Sequence, residues 1–213
     1  MNNSTQPSGE TTTKTRWSFD GFLRKTFKGM IDPVAGFLLK IGLTPNMITY
    51  CGLLFSTAVA VLIATGQITI AGIVMLVTAP TDVLDGSMAR LKGGDTLYGA
   101  FIDSVTDRYA ELVILGGLLV YYVVTKPDIA GAILAFVAAM GSVLVSYVKA
   151  RAESLGFTAK MGLLTRVERV IILIPCLIFN IPMVALWILA ILTNVTAVQR
   201  FFFVRKQILS KQA

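Results

Sequence analysis

Apolar and polar positions fall into long blocks along this chain. From about residue 46 onward, apolar runs are separated by short polar or glycine-containing breaks. The runs predict six helices, over about 46–65, 69–91, 98–124, 128–152, 165–179 and 181–205. At 1.5 Å per residue each can cross roughly 30 Å of hydrocarbon, the fifth only if it starts earlier. Gly66-Gln67, Lys126-Pro127-Asp128 and Asn180 mark turns on one side, and Lys92-Gly93-Gly94-Asp95 and Ser154 to Gly162 mark turns on the other. Thr44-Pro45-Asn46 is a helix-start signal, with a hydroxyl cap and proline in the first turn. Upstream the pattern changes. Phe19, Leu23, Phe27, Met30, Val34 and Phe37 recur at helical spacing, with Arg24, Lys25 and Lys28 on other faces and Pro33 as an interruption. This predicts a basic amphipathic helix over 17–42 that lies on a membrane surface. The polar stretch 1–16 is predicted to be disordered. The chain therefore reads as an all-α integral membrane protein: a polar lead (1–16), a juxtamembrane amphipathic helix (17–42) and a six-helix transmembrane domain (43–213).

Composition agrees. Of 213 residues, 55% are hydrophobic and the mean hydropathy is +0.74, which a soluble domain of this length would not carry. No secretory signal is expected, because Met1 to Thr13 lack an apolar core. The net charge of +7 is explained by topology and calls for no nucleic-acid partner. With both termini in the cytoplasm, every lysine and arginine except Lys126 falls in or near the end of a cytoplasmic segment. Cys51 and Cys176 lie in apolar runs and read as packing residues. The chain has no histidine. A carboxylate is then the expected general base, and metal ligation by imidazole is excluded.

The candidate chemistry lies in the second and third helices. Asp82, Asp85 and Ala89 are spaced i, i+3, i+7 and share one face, with Gly86 beside it. Gly99, Asp103 and Asp107 are spaced i, i+4, i+8 and share another. The Gly93-Gly94 turn makes the two helices antiparallel neighbours, so the acidic faces can meet. Ionisable residues in a bilayer span are costly, and their default reading is functional. Four close carboxylates need a counter-charge. Oxygen ligands suit Mg²⁺ or Mn²⁺, and a pair of such ions roughly 3.5–4 Å apart serves displacement at phosphorus. Gly86, Ala89 and Gly99 strip side chains from the same cleft. That either lets the helices pack closely or leaves room for a flat ligand or a diphosphate. Arg90 either snorkels at a helix end or binds phosphate oxygens.

Asp82-x-x-Asp85-Gly86-x-x-Ala89-Arg90, followed after eight residues by Gly99-x-x-x-Asp103-x-x-x-Asp107, resembles the signature of the CDP-alcohol phosphatidyltransferases at every defined position. Leu43-Thr44-Pro45-Asn46 is similar to the start of that family's first membrane helix, and the likeness covers about residues 30–207. The resemblance implies six transmembrane helices, a homodimer in the cell membrane of a prokaryote, and a cytoplasm-facing site for a CDP-lipid such as CDP-diacylglycerol. It implies that the CDP-lipid contacts Asp82, Asp85, Gly86, Ala89, Arg90 and Gly99. It further implies that Asp82, Asp85, Asp103 and Asp107 hold two divalent cations, with Asp107 the base toward the acceptor hydroxyl. The residues by themselves support the cluster and the metal class; they do not single out Asp107 over Asp103 as base.

Further cations sit at the cytoplasmic ends of the last three helices: Lys149, Arg151, Arg166, Arg169 and Arg200. They are either anchors for anionic headgroups or a pocket for an acceptor that carries its own phosphate. Ser146 to Glu153, Glu168-Arg169 and Gln199-Arg200 resemble the phosphatidylinositol-phosphate synthase branch of the family. That implies inositol 1-phosphate as acceptor, gripped by Arg151, Arg169 and Arg200, with Lys149 and Arg166 beside them. One position departs, since Val167 stands where that branch has proline. Glycerol 3-phosphate is the alternative acceptor. A different class, the ion-coupled transporter, would also use intramembrane carboxylates. The aspartates lie near one face, however, and no paired broken helices are predicted. A prenyltransferase would need aspartate-rich pentapeptides, which nothing here supplies.

Overall fold

The computed structural model describes residues 31–94, 96–159, 161–162 and 164–212, and these contain helices without strands. The polar lead 1–16 and the first part of the expected amphipathic helix, 17–30, lie outside the described residues. Helix α1 is described over 31–40. It buries Ala35 against Ile48 and Met88 and leaves Val34 and Phe37 exposed.

Helix α2, Pro45–Ala64, begins where the sequence says. The Thr44 hydroxyl accepts the Met47 N–H at 3.3 Å, and Pro45 occupies a position whose N–H would be unpaired anyway. The second predicted span is two helices, α3 (Ile68–Thr78) and α4 (Thr81–Leu91), separated by Ala79-Pro80. This corrects the expectation of one unbroken helix. Pro80 has no N–H to return to the α3 ladder, and the Thr81 hydroxyl donates instead to Thr78 O at 2.7 Å. The break places Asp82 in the first turn of a new helix, where the helix dipole favours a carboxylate.

Helix α5 spans Leu97–Val120, capped by Thr96 Oγ1, which accepts the Gly99 N–H at 2.9 Å. One π turn, Tyr121–Thr125, follows and buries both tyrosines. The Asp128 carboxylate caps α6, Ile129–Ser154, by accepting from Ala130 N–H at 2.9 Å. Helix α7 is Arg166–Ile178, and Glu168 accepts the Thr165 N–H at its start. Helix α8 runs Pro182–Gln212, beyond the predicted end near 205.

Five segments among the described residues are long and apolar enough to cross a membrane: Pro45–Ala64, Ile68–Leu91, Leu97–Thr125, Ile129–Ser154 and Pro182–Lys211. The protein is a membrane protein. With 13 residues, α7 reaches only about 20 Å at 1.5 Å per residue, and it packs against α3 and α8. Its shortness sets it apart from the other five.

Close backbone approach holds the bundle. A Cβ on Gly117 would lie 2.6 Å from Ala60 O, so α2 and α5 touch at that level. Gly141 of α6 likewise leaves no room for a Cβ beside Thr193 of α8. Small residues at crossings are how helices pack where lipid and side chains are equally apolar. Ile63, Leu118, Leu177 and Leu186 are fully buried between these pairs, toward the α2–α3 and α7–α8 turns. Leu54, Val77, Phe136 and Trp187 face outward, as a lipid-facing surface requires.

Candidate active site

At the opposite end, α4 and α5 bring the predicted carboxylates together. Asp85 is buried and tightly held. It accepts from the Thr49 hydroxyl of α2 and from the Gly86 N–H, each at 2.7 Å. Asp82 and Asp107 face one another across a guanidinium. Arg166 Nη2 lies 2.8 Å from Asp82 Oδ2, and Nη1 lies 2.6 Å from Asp107 Oδ1. Asp103 is exposed and within electrostatic range of both Asp85 and Asp107. Arg108 stands at 4.0 Å from Asp107.

The small residues lie on α4 and α5, near the carboxylates in sequence. A Cβ on Gly86 would sit 3.5 Å from Arg90 Nη1, so this glycine lies beside the guanidinium. Gly99 lies beside Thr96 and Asn46, at the start of α2. Ala89 is half-buried and Arg90 exposed on the same turn of α4.

The five basic residues part company. Arg166 joins the carboxylates. Arg169 is buried and pairs with Glu111 of α5, with Nε 2.5 Å from Oε1 and Nη2 donating to Oε2 at 2.8 Å. Arg200 is buried and donates to two backbone carbonyls, Met161 O and Val145 O, each at 2.8 Å. Arg169 is within its electrostatic range. Lys149 is exposed beside Glu153, and Arg151 is exposed on the last turn of α6.

Three residues were not read from sequence. Glu111 continues the Asp103, Asp107 stripe by one further turn, a signal that was available at i+4. Thr49 and Gly52 of α2 had none, because only the packed bundle places them against Asp85 and Asp82. A cavity of about 60 Å³ opens between α2, α3, α4, α5, α7 and α8, with Asp82, Glu111, Arg166 and Arg169 at its polar end and Met75, Ile114 and Leu173 at its apolar end. Gly86, Ala89 and Gly99 are not part of its lining.

Among the described residues, no three acidic side chains are poised to grip one metal ion. Arg166 lies between Asp82 and Asp107. The donor set still fits a hard divalent cation, since it is all carboxylate and two of its members, Asp82 and Asp107, already share a positive charge.

The sequence model of the CDP-alcohol phosphatidyltransferase family matches residues 42–199, which include every carboxylate and every glycine of this cleft. The chain belongs to this family. Phosphatidylinositol phosphate synthase of Mycobacteroides abscessus is 36% identical over 190 residues, covering 85% of this chain and 86% of that one. The solved structure of phosphatidylinositol phosphate synthase from Mycobacterium tuberculosis with CDP-DAG bound has a TM-score of 0.77 at 33% identity, over 82% of this chain and 92% of that one. The same enzyme in complex with manganese and citrate gives 0.78 at 33% identity, over 82% and 88%. The CDP-alcohol phosphatidyltransferase described here is thus an enzyme of phospholipid biosynthesis. Its signature helices α4 and α5 do not pack face to face as the Gly93-Gly94 turn led one to expect: each packs on α2, and the Arg166 guanidinium links them.

Proposed function

We propose that this enzyme transfers a phosphatidyl group from a CDP-lipid, CDP-diacylglycerol by its relatives, to a hydroxyl of inositol 1-phosphate and releases CMP. The observation that carries the reading is the meeting of Asp82 and Asp107 across one positive charge, on the two helices that bear the full signature. In this mechanism Gly86, Ala89 and Gly99 leave the floor of the cleft open for the cytidine and diphosphate, and Arg90 binds phosphate oxygens. Asp82, Asp85, Asp103 and Asp107 would hold two divalent cations, Mg²⁺ or Mn²⁺, which supply neutralisation of the diphosphate and of the departing CMP. Asp107 takes the proton of the acceptor hydroxyl. The freed oxygen bonds to the phosphorus attached to the lipid, and the bond from that phosphorus to the CMP oxygen breaks. Thr49 fixes the orientation of Asp85 throughout.

Arg166, Arg169, Arg200, Lys149 and Arg151 form the basic side of the acceptor region. Arg166 and Arg169 flank the cavity, and Arg200 stands within electrostatic reach of Arg169. On this reading α7 and its preceding connection make a sixth crossing, α1 lies in the interface, and both termini and the site face the cytoplasm of a prokaryote. The distribution of lysine and arginine supports that orientation. The enzyme works as a homodimer, as the family resemblance implies.

The test is an acceptor panel with purified protein in detergent and radiolabelled CDP-diacylglycerol. CMP is expected only when CDP-lipid, divalent metal and inositol 1-phosphate are all present. Turnover with glycerol 3-phosphate and none with inositol 1-phosphate would reassign the acceptor. Ion-driven uptake into liposomes without CMP release would overturn the reading altogether.

A further inference from the structure

Arg166 is placed unlike the other basic residues of the acceptor region. It enters the carboxylate cluster itself, and its two outer nitrogens are divided between aspartates on two different helices, Asp82 of α4 and Asp107 of α5. Its side chain is only 29% exposed, and Glu111 and Asp103 add to the negative surroundings. A guanidinium so divided neutralises part of a cluster whose carboxylates could not otherwise stay charged together. It also takes up one oxygen of each aspartate and puts a positive charge in the space between them, so a cation held by both must compete with it.

We infer that Arg166 is an internal counter-ion that keeps the carboxylate cluster intact without metal and is displaced when a divalent cation binds. The inference rests on the metal-site reading above and deepens it. Two consequences follow from the geometry. The cation competes with a resident charge, so the resting enzyme binds it more weakly than its carboxylates alone would. The displaced guanidinium is a free phosphate ligand at the N-terminal end of α7, so the acceptor's phosphate gains a partner only after the cation is in place. Arg166 on this account links the two halves of the site.

The test measures Mn²⁺ binding by electron paramagnetic resonance, using full-length protein in detergent with neither nucleotide nor acceptor. Arg166→Gln is expected to bind Mn²⁺ about tenfold more tightly than the wild type, the scale of one lost charged contact. Arg108→Gln removes a charge that stands beside Asp107 without bridging, and is expected to change affinity far less. Equal or weaker binding by Arg166→Gln, or an equal gain in Arg108→Gln, overturns the displacement and leaves the metal site standing. Absence of Mn²⁺ binding in all three proteins overturns the metal site and the displacement with it. If the glutamine variant does not fold, hydrogen exchange in the wild type decides. Adding Mn²⁺ is expected to speed exchange in the first turn of α7, and unchanged or slower exchange there overturns the proposal.

Discussion

The two ends of the bundle are held by different physics. Toward the α2–α3 and α7–α8 turns, Ile63, Leu118, Leu177 and Leu186 are fully buried, and the backbones of α2 and α5 touch at Gly117 and Ala60. At the other end, helices are joined through charge and hydrogen bonds: Arg166 to Asp82 and Asp107, Arg169 to Glu111, Arg200 to two carbonyls. Close packing tolerates little change in volume but is indifferent to ligands. Charge pairs tolerate rearrangement if each group finds a new partner, which suits the site proposed above for an ion, a nucleotide and an acceptor. Rigidity is placed at one end so that exchange can take place at the other.

Substitutions at the two ends should therefore fail in different ways. The largest effect is expected for Asp107→Asn, which should lower CMP release at least about a hundredfold while the protein stays folded, as expected for loss of a general base. Undiminished turnover would remove Asp107 from the reaction. Glu111→Ala leaves Arg169 buried without its partner and should cost about 3 kcal/mol in thermal unfolding. A neutral outcome would mean that Arg169 relaxes to solvent. Gly141→Leu forces α6 from Thr193 of α8 and should cost about 2 kcal/mol, with turnover per folded molecule within about twofold of wild type. A large loss of turnover there would show that the ends are mechanically coupled and dissolve the contrast. Thr49→Val keeps the shape but removes the bond to Asp85, and should lower turnover about tenfold. Lys149→Gln, on an exposed pair, should change stability by less than about 0.5 kcal/mol.

Much of this was legible beforehand, and for stated reasons. The carboxylate faces follow from helical spacing alone, and the turn between them from Gly93-Gly94. The cap at Thr44 and the start of α2 were read from three residues. The break at Pro80 was present in the sequence but lay within an apolar run that hydropathy alone reads as continuous. The fates of the basic residues could not be read. A long guanidinium chooses among partners within several ångströms, and that choice depends on where α7 and α8 come to rest. Arg200 illustrates this: helical spacing says that it lies on α8, and nothing local says that it will hold backbone carbonyls of α6 and of the α6–α7 connection. Thr49 and Gly52 were silent for the same reason.

The connection that leads from α6 into α7 rests on α8. Arg200 holds Met161 O, and Gln207 Nε2 donates to Thr158 O at 2.7 Å. A ribosome makes this chain from its N-terminus, so the helix that carries Arg200 and Gln207 is the last to emerge. The carboxylates of α4 and α5 enter the membrane long before the segment that presents Arg166 can be fastened. The cluster of carboxylates and guanidinium is thus finished at the end of synthesis, and a chain cut short before α8 would carry the whole signature yet lack the contacts that fasten the segment leading to Arg166.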